Sequence, residues 1–293
     1  MMLTIFTPTY NRAKLLNDIF NSLEKQSCFD FEWLIIDDGS NDNTENVVIN
    51  FLHNSKFPVR YIKKENGGKH TAYNLALENA RGELFFCLDS DDYLPNNAIE
   101  KIKKFFNNLN REIITSTCGF LAYKIDRENN LLSDKFPLKI DRVKLYELDA
   151  RYGCRGEFSI ILFTQIAKKY PFPVFDNEKF VGECVIYDQI NILYDFILLK
   201  EVITICEYQS DGYTNMQIQL MKNNPSGYCM YFKQRLDLQN DLISKIIISG
   251  KYHAFKFLSK NKDPNLVYDG ENKFLVKMTF LLGIVFYIYY RWI

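Results

Sequence analysis

The sequence predicts an α/β fold built on a doubly wound, mostly parallel sheet. Short apolar runs at 3–6, 31–36, 59–62 and 84–88 have the length and composition of buried strands. Residues with helical apolar spacing lie between these runs, so strand and helix alternate at intervals of about 25 to 30 residues. A polar motif follows each run, at the edge where open α/β sheets bind ligands.

The elements follow one another in a regular order through the first 122 residues. The first strand precedes a helix with a single apolar face, and Asn43 and Thr44 open the helix after the second strand. Further helices are predicted over 71–80 and 95–107, and a further strand over 113–122. Right-handed crossovers place the strands' carboxyl ends at one edge, so we expect the motifs after them to meet in one cleft.

In the second half of the chain, predicted strands and helices alternate less regularly. Region 124–148 is polar and loop-like, and isolated apolar runs follow at 160–163 and 202–205. A helical pattern begins after the break at 223–227 and reaches about residue 260. We therefore expect a helical extension after the α/β domain.

Composition indicates a folded globule without affinity for nucleic acid. The 293 residues are 47% hydrophobic, and 36 basic residues balance 36 acidic ones. With zero net charge, the chain lacks the excess of basic residues that is typical of nucleic-acid-binding proteins. The seven cysteines include no C-x-x-C pair, and several lie in apolar runs, so we expect them to be reduced in a cytoplasmic protein. The N-terminus lacks the basic region and cleavage site of a signal peptide.

The final segment, 274–293, is apolar and aromatic, interrupted by Lys277 and Arg291. Its uncharged core, 278–290, is shorter than the roughly 20 residues that span a bilayer. Tyr and Trp beside Arg291 fit a membrane interface, so we expect peripheral association with a membrane surface. The alternatives are a helix buried against the domain and a dimer contact.

Three carboxylates close the apolar run at 84–88, in the motif 88–92 (Leu-Asp-Ser-Asp-Asp). Adjacent carboxylates repel one another, which raises their pKa values and costs stability unless a cation is near. Oxygen ligands on a short loop suit Mg²⁺ or Mn²⁺, which shares its shell with ligand phosphates. The alternative is an acidic turn, with Asp91 or Asp92 capping the helix that Pro95 begins.

Four motifs, each after a predicted strand, together resemble the family 2 glycosyltransferases of the GT-A fold. They are 7–12 (Thr-Pro-Thr-Tyr-Asn-Arg), 33–40 (Trp-Leu-Ile-Ile-Asp-Asp-Gly-Ser), 66–69 (Asn-Gly-Gly-Lys) and 88–92. The resemblance implies a GT-A domain over 1–227, with a nucleotide-binding half over 1–123 and an acceptor-side half over 124–227. Residues 228–293 would form the helical extension.

The resemblance also implies an inverting glycosyltransferase that takes its sugar from a UDP-sugar with the help of Mn²⁺ or Mg²⁺. The acceptor would be a glycan or a lipid-linked sugar of a bacterial surface polysaccharide, such as capsule or lipopolysaccharide. The protein would then act in the cytoplasm, or peripherally on the cytoplasmic face of the inner membrane.

The family's donor-site roles fall on matching residues of this chain. Tyr10 would offer a flat face to the base, Asp38 would accept the uracil N3–H, Asp89 would hold the ribose, and Asp91 would ligate the metal. Asp37 could share the role of Asp38. The implied donor-binding set is Thr7, Pro8, Thr9, Tyr10, Arg12, Asp38, Gly67, Gly68, Lys69, Asp89, Ser90 and Asp91, and the implied metal ligands are Asp91, Asp89 and Asp92.

Inversion needs one general base to deprotonate the acceptor hydroxyl. The family takes this base from an acid in the second half of the domain, and the nearest match is Glu183, with Asp188 and Glu157 as alternatives. Glu183 could instead be a charge at a helix N-terminus. The resemblance also places Asp211 and Gly212 in a loop on the acceptor side.

Two rival classes share parts of the pattern. A metal-dependent nucleotidyltransferase also uses paired carboxylates, but it would show a basic, glycine-rich phosphate loop after the first strand, which 7–12 lacks. A nucleotide-sugar-binding protein without catalysis would keep Asp89 and Asp91 but lack the base.

Overall fold

The computed structural model describes residues 1–207 and 217–292, and a sheet forms its centre. The strands are β1 Leu3–Thr9, β2 Phe31–Asp37, β3 Val59–Lys63, β4 Leu84–Cys87, β5 Asp92–Tyr93, β6 Thr117–Ile125, β7 Arg142–Val143, β8 Phe158–Phe163 and β9 Asp195–Cys206. Within the described residues they form one sheet in the order β3-β2-β1-β4-β8-β6-β9-β5, and β7 pairs with β9.

The helices lie between the strands and again at the end of the chain. They are α1 Leu16–Glu24, α2 Thr44–Asn54, α3 Lys69–Asn79, α4 Ala98–Asn107, α5 Arg111–Ser116, α6 Leu145–Tyr152, α7 Thr164–Ala167, α8 Cys184–Leu193, α9 Gln217–Asn223, α10 Pro225–Leu238, α11 Leu242–Leu258, α12 Lys273–Met278 and α13 Phe280–Trp292. A 3₁₀ turn occupies Pro264–Leu266. No helix in the described parts of the chain has the length and apolarity needed to cross a membrane.

The first four predicted strands are confirmed, and they pair in parallel. Strand β1 lies between β2 and β4, and β2 also pairs with β3. Every residue of β2 is buried, as expected for a strand covered on both faces by crossover helices. Trp33 in β2 is fully buried, and its indole N–H donates to the Thr7 hydroxyl at 2.9 Å. This half of the sheet brings the carboxyl ends of β1, β2 and β4 to one edge.

The other half of the sheet departs from a simple parallel pattern. Strand β8 lies between β4 and β6 and is antiparallel to both. Strand β6 pairs in parallel with β9, and the short β5 runs antiparallel to β9 with Asp92 opposite Cys206. The acidic motif therefore begins at the end of a central strand and ends hydrogen-bonded to a different strand.

Two local predictions are wrong in this half. The strand predicted over 113–122 begins only at Thr117, because α5 precedes it. The Asn110 side chain accepts a hydrogen bond from the Ile113 amide at 2.8 Å, which caps that helix and stabilises it over an extended start. Region 124–148 is not wholly a loop, since it holds β7 and the first turn of α6.

The described residues form two compact units, of which the first consists of 1–171 and 190–207. The second consists of 172–189 and 217–292, and the predicted domain boundaries at 123 and 227 stay a prediction. In the second unit, α11 and α13 approach closely at glycines. A Cβ at Gly250 would lie 2.9 Å from Leu282 and Phe286, so only glycine allows this helix pair to pack as it does. The C-terminal helices predicted from the sequence are confirmed.

Candidate active site

The loops after β1, β2 and β4 meet at one edge of the first unit, as their positions in the sequence predict. The Asn11 amide donates to the Ser40 hydroxyl at 2.9 Å, which joins the first loop to the second. The Arg12 guanidinium lies 3.0 Å from an Asp91 carboxylate oxygen, which joins the first loop to the third. Asn11 has a positive φ of 53°, a conformation that asparagine tolerates better than most residues. These contacts join three separate polar motifs at one edge of the sheet.

Each of the three adjacent carboxylates has a cation of its own. Lys69 Nζ lies 2.6 Å from Asp89, Arg12 lies 3.0 Å from Asp91, and Lys124 Nζ lies 3.3 Å from Asp92. The repulsion expected from the sequence is therefore relieved in part by the chain itself.

The cations have different effects on the two outer carboxylates. Burial opposes ionisation of Asp89, but Lys69, Lys124 and Arg12 outweigh it and hold the pKa of Asp89 below its ordinary value. For Asp92 the balance is reversed, because burial and the charges of Asp89 and Asp91 raise its pKa to about 6 against the pull of Lys124. Asp92 is thus more easily protonated than Asp89.

The predicted metal site depends on which of these carboxylates are exposed enough to bind an ion. The Asp89 and Asp91 side chains are 39% and 20% exposed, whereas that of Asp92 is 10% exposed and bonded to Lys124. Across 1–207 and 217–292, no three His, Cys, Asp or Glu side chains are grouped closely enough to hold a metal ion. Asp89 and Asp91 suit an ion that completes its shell with diphosphate oxygens and water, which is how Mg²⁺ commonly binds. The metal assignment stays a prediction.

Asp38 organises the loop at 66–69 through its buried carboxylate. One oxygen accepts from the Gly67 amide at 2.9 Å and from Lys64 Nζ at 2.7 Å. The other accepts from the Gly68 amide at 2.7 Å and from the Asn66 side chain at 3.1 Å. Gly68 has a positive φ of 92°, which favours glycine there. The carboxylate thus fixes the loop that carries Lys69, and its predicted contact with uracil stays a prediction.

The remaining predicted donor-site residues differ in accessibility. Tyr10 is 46% exposed at the end of β1, as a side chain that stacks on a base would need to be. Thr7 and Thr9 are buried in β1, and Pro8 lies between them. Ser90 is buried and accepts a hydrogen bond from Arg12 at 3.4 Å.

The three candidate bases are divided between the two units. Glu157 is exposed in the first unit, directly before β8. Glu183 is half-buried in the second unit, and its backbone carbonyl accepts bonds from the Ile186 and Tyr187 amides in α8. Asp188 is buried in α8 and lies 2.7 Å from Arg235 Nε. The loop predicted around Asp211 and Gly212 lies outside the described residues.

The Asp188–Arg235 pair makes stability depend on pH. Burial raises the pKa of Asp188 from 3.8 to about 6, although Arg235 opposes the shift. Between those values the folded chain keeps a proton that the unfolded chain has lost, so the free energy of unfolding falls as pH rises. Arg235→Met would raise this pKa further and extend the fall to higher pH. We expect the variant to lose about 3 kcal/mol at about pH 8 and much less at about pH 5.

Urea unfolding of both proteins at the two pH values measures this difference. Arg155→Met is the matched control, since Arg155 pairs with Asp149 at 2.7 Å but is 77% exposed. It should leave the free energy of unfolding nearly unchanged at both pH values. A loss for Arg235→Met that is equal at both pH values would show that Asp188 does not titrate there.

Sequence reasoning missed the cations Lys64, Lys124 and Arg235. Lys64 directly follows β3, at the same edge as the predicted loops, and that position could have identified it. Lys124 is a single charge within the apolar strand β6, a pattern that indicates a buried partner. Arg235 has no comparable signal, because its partner Asp188 lies on a helix distant in the sequence.

Comparison with known proteins finds a matching family and several similar sequences. The model of the family described as Glycosyl transferase family 2 matches residues 4–160, more than half of the chain. An uncharacterized glycosyltransferase of Rickettsia typhi is 30% identical over 173 residues, which cover 56% of this chain and 52% of that protein. Poly(ribitol-phosphate) beta-N-acetylglucosaminyltransferase TarS of Staphylococcus aureus is 29% identical over 116 residues, 39% of this chain and 20% of TarS. The chain thus spans about half or less of the length of these curated relatives.

Solved structures agree on the fold. A structure of S. aureus TarS 1–349 in complex with UDP-GlcNAc has a TM-score of 0.62 at 18% identity, and the match covers 95% of this chain and 79% of that one. A mannosyltransferase from Pyrobaculum calidifontis in complex with GDP-Man and Mn²⁺ has a TM-score of 0.58 at 15% identity, with 98% and 86% covered. The GT-A fold class predicted from the sequence is confirmed.

Proposed function

Since the chain belongs to glycosyl transferase family 2, we propose that it transfers a sugar from a UDP-sugar to a glycan or lipid-linked acceptor, with inversion at the anomeric carbon. The observation that carries this proposal is the meeting of three motif loops at one sheet edge. Tyr10, Arg12 and the carboxylates of Asp89 and Asp91 lie on loops that contact one another there. The relatives add support, since TarS is named a β-N-acetylglucosaminyltransferase and one of its structures was solved in complex with UDP-GlcNAc.

The donor would be held by its base, ribose and diphosphate. Tyr10 offers an exposed ring for stacking on uracil. Asp38 holds the loop at 66–69, and in this proposal its carboxylate would also accept the uracil N3–H. Asp89 binds the ribose. Arg12 and Lys69, which pair with Asp91 and Asp89 on the loop at 88–92 (here called the acid loop), supply positive charge for the diphosphate.

Asp91, with Asp89 and Asp92 as further candidates, would hold Mn²⁺ or Mg²⁺. When bound, such an ion neutralises the diphosphate as it leaves. Support for it comes from the Mn²⁺ present in the mannosyltransferase structure. In the chain itself the support is the pair of accessible carboxylates on a single loop.

One carboxylate would remove the acceptor proton. Glu183 is our first candidate, because it lies at the start of α8 and is half-buried without being enclosed. Asp188 is less suited, because it is buried and bonded to Arg235. Glu157 remains the third candidate. Inversion requires that the base act on the face of the sugar opposite the leaving diphosphate.

We place the reaction on the cytoplasmic side of a bacterial membrane, in the synthesis of a surface polysaccharide such as capsule or lipopolysaccharide. The curated relatives include a Pasteurella multocida hyaluronan synthase, whose name supports polysaccharide synthesis. Residues 274–293 would contact the membrane, where a lipid-linked acceptor resides.

The first experiment is UDP binding and UDP-GlcNAc hydrolysis with Mn²⁺, Mg²⁺ or chelator, across a small panel of donors that includes GDP-mannose. We expect slow release of UDP from one UDP-sugar, and we expect chelator to stop it. GDP-mannose should remain intact, because the proposed contacts read uracil. Failure to bind any nucleotide, measured by calorimetry, would overturn the proposal.

A further inference from the structure

A line of exposed apolar side chains runs along α12 and α13. Six side chains, each more than half exposed, recur at alternating intervals of four and three residues, which puts them on one helix face. They are Phe274, Met278, Leu281, Val285, Ile288 and Trp292, here called the apolar stripe. Exposed apolar area of this extent and regularity marks an interaction surface.

The opposite face of the same helices packs against α11, so the side chains of the stripe face the solvent. Val276, Thr279 and Gly283 are buried there. The Thr279 and Ser249 hydroxyls lie 2.6 Å apart, and a His253 ring nitrogen lies 2.6 Å from the Val276 carbonyl oxygen. These contacts fix the rotation of the helices and leave the stripe uncovered among the described residues.

The charged side chains within α12 and α13 are all basic. Helices α12 and α13 contain no Asp or Glu, although the whole chain has zero formal net charge, and the nearest acid in the sequence, Glu271, precedes α12. Their basic residues are Lys273, Lys277 and Arg291. Positive charge next to an exposed apolar face complements a surface that is both apolar and anionic.

This charge pattern argues against a second copy of the chain as the occupant. The spacing of four and three is that of a coiled-coil seam, in which flanking charges pair across the interface. Lys277 and Arg291 flank the stripe, and the helices offer no acid to pair with them. Two copies would therefore bring like charges together.

We propose that the apolar stripe docks on an anionic lipid surface, with α12 and α13 lying flat in the interface. The stripe would reach the boundary between headgroups and acyl chains, and Lys273, Lys277 and Arg291 would contact lipid phosphates. Tyr289 and Trp292 are 56% and 81% exposed and have the amphipathic rings that favour this depth. The inference rests on the proposed function and deepens it, by assigning the surface through which the chain would meet a lipid-linked acceptor.

The test is sedimentation of the full chain with vesicles of phosphatidylcholine, alone or mixed with phosphatidylglycerol. We expect binding to the anionic vesicles that weakens with salt, and little binding to the neutral ones. The double variant Leu281→Asp/Val285→Asp should bind at least about tenfold more weakly. The matched control is Leu138→Asp/Val174→Asp, which changes a Leu 91% exposed and a Val 61% exposed, against 74% and 61% in the stripe. The control should bind like the unaltered chain.

Equal losses in the two double variants, equal binding to both kinds of vesicle, or no binding at all would each overturn the docking proposal. So would a dimer in lipid-free buffer that the stripe variant dissociates while vesicle binding stays unchanged. Hydrolysis of the UDP-sugar in lipid-free buffer reports on the donor site alone. Its survival in a chain that ignores vesicles would separate a failure of this inference from a failure of the proposed function.

Discussion

Replacing Asp91 with asparagine is expected to lower UDP-sugar turnover about 10³-fold. The two side chains have nearly equal volume, so the change removes the negative charge and leaves the packing intact. Asp91 contacts Arg12 on an accessible loop, and the proposed site needs its charge to hold the ion that neutralises the leaving diphosphate. Steady-state UDP release with Mn²⁺ measures the loss. Calorimetry with and without Mn²⁺ should show that the variant binds UDP with less dependence on metal.

The control is Asp149→Asn. Asp149 also pairs with an arginine, Arg155, at 2.7 Å, but on α6 and outside the acid loop. Its replacement should leave both turnover and metal dependence unchanged. If Asp91→Asn keeps turnover within a few-fold of the unaltered protein, the assignment of Asp91 as a metal ligand is wrong. The loop would then be an acidic turn.

Replacing Glu183 with glutamine is expected to lower turnover by about 10²–10⁴-fold while UDP affinity stays unchanged. A general base acts on the acceptor proton and makes no contact with the nucleotide, so the two measurements should separate. Donor hydrolysis suffices as the assay, because water then takes the place of the acceptor hydroxyl. Calorimetry on the same preparation supplies the affinity.

Glu157→Gln and Asp188→Asn complete the set. Asp188→Asn alters a buried ion pair with Arg235, so we expect its main effect on the free energy of unfolding. A large loss of turnover in Glu157→Gln, with Glu183→Gln unaffected, would move the base to the first unit. Full turnover in all three variants would leave no carboxylate base among these candidates.

The sequence was sufficient for the parallel half of the sheet and for the meeting of its loops. Continuous apolar runs such as β2 have one strong interpretation, and right-handed crossovers then fix which ends converge. The antiparallel β8 could not be placed in the same way, because pairing order depends on contacts between distant segments. The start of β6 was missed for a local reason, since the Asn110 cap stabilises α5 within an apolar run.

Motif reasoning identified the carboxylates but not their partners. Asp89, Asp91 and Asp92 were predicted to hold a divalent metal ion, which stays a prediction, and the structure pairs them with Lys69, Arg12 and Lys124. Lys124 reaches Asp92 only through the pairing of strands far apart in sequence. Local patterns can show that a charge must be balanced, but the fold decides which residue balances it.

The pairing of β5 with β9 has a consequence for the order of folding. Asp92 in β5 pairs with Cys206 in β9, so the end of the acid loop is held by a strand that comes long after β4 in the sequence. Contacts between distant segments form late, because the intervening chain must first lose its freedom. The first parallel strands lie close together in the sequence and can pair early. The acid loop becomes ordered only when β9 pairs with β5, and β9 lies beyond the residues that match the family model. We therefore expect nucleotide affinity to appear in the last phase of refolding, after most of the helical signal has returned.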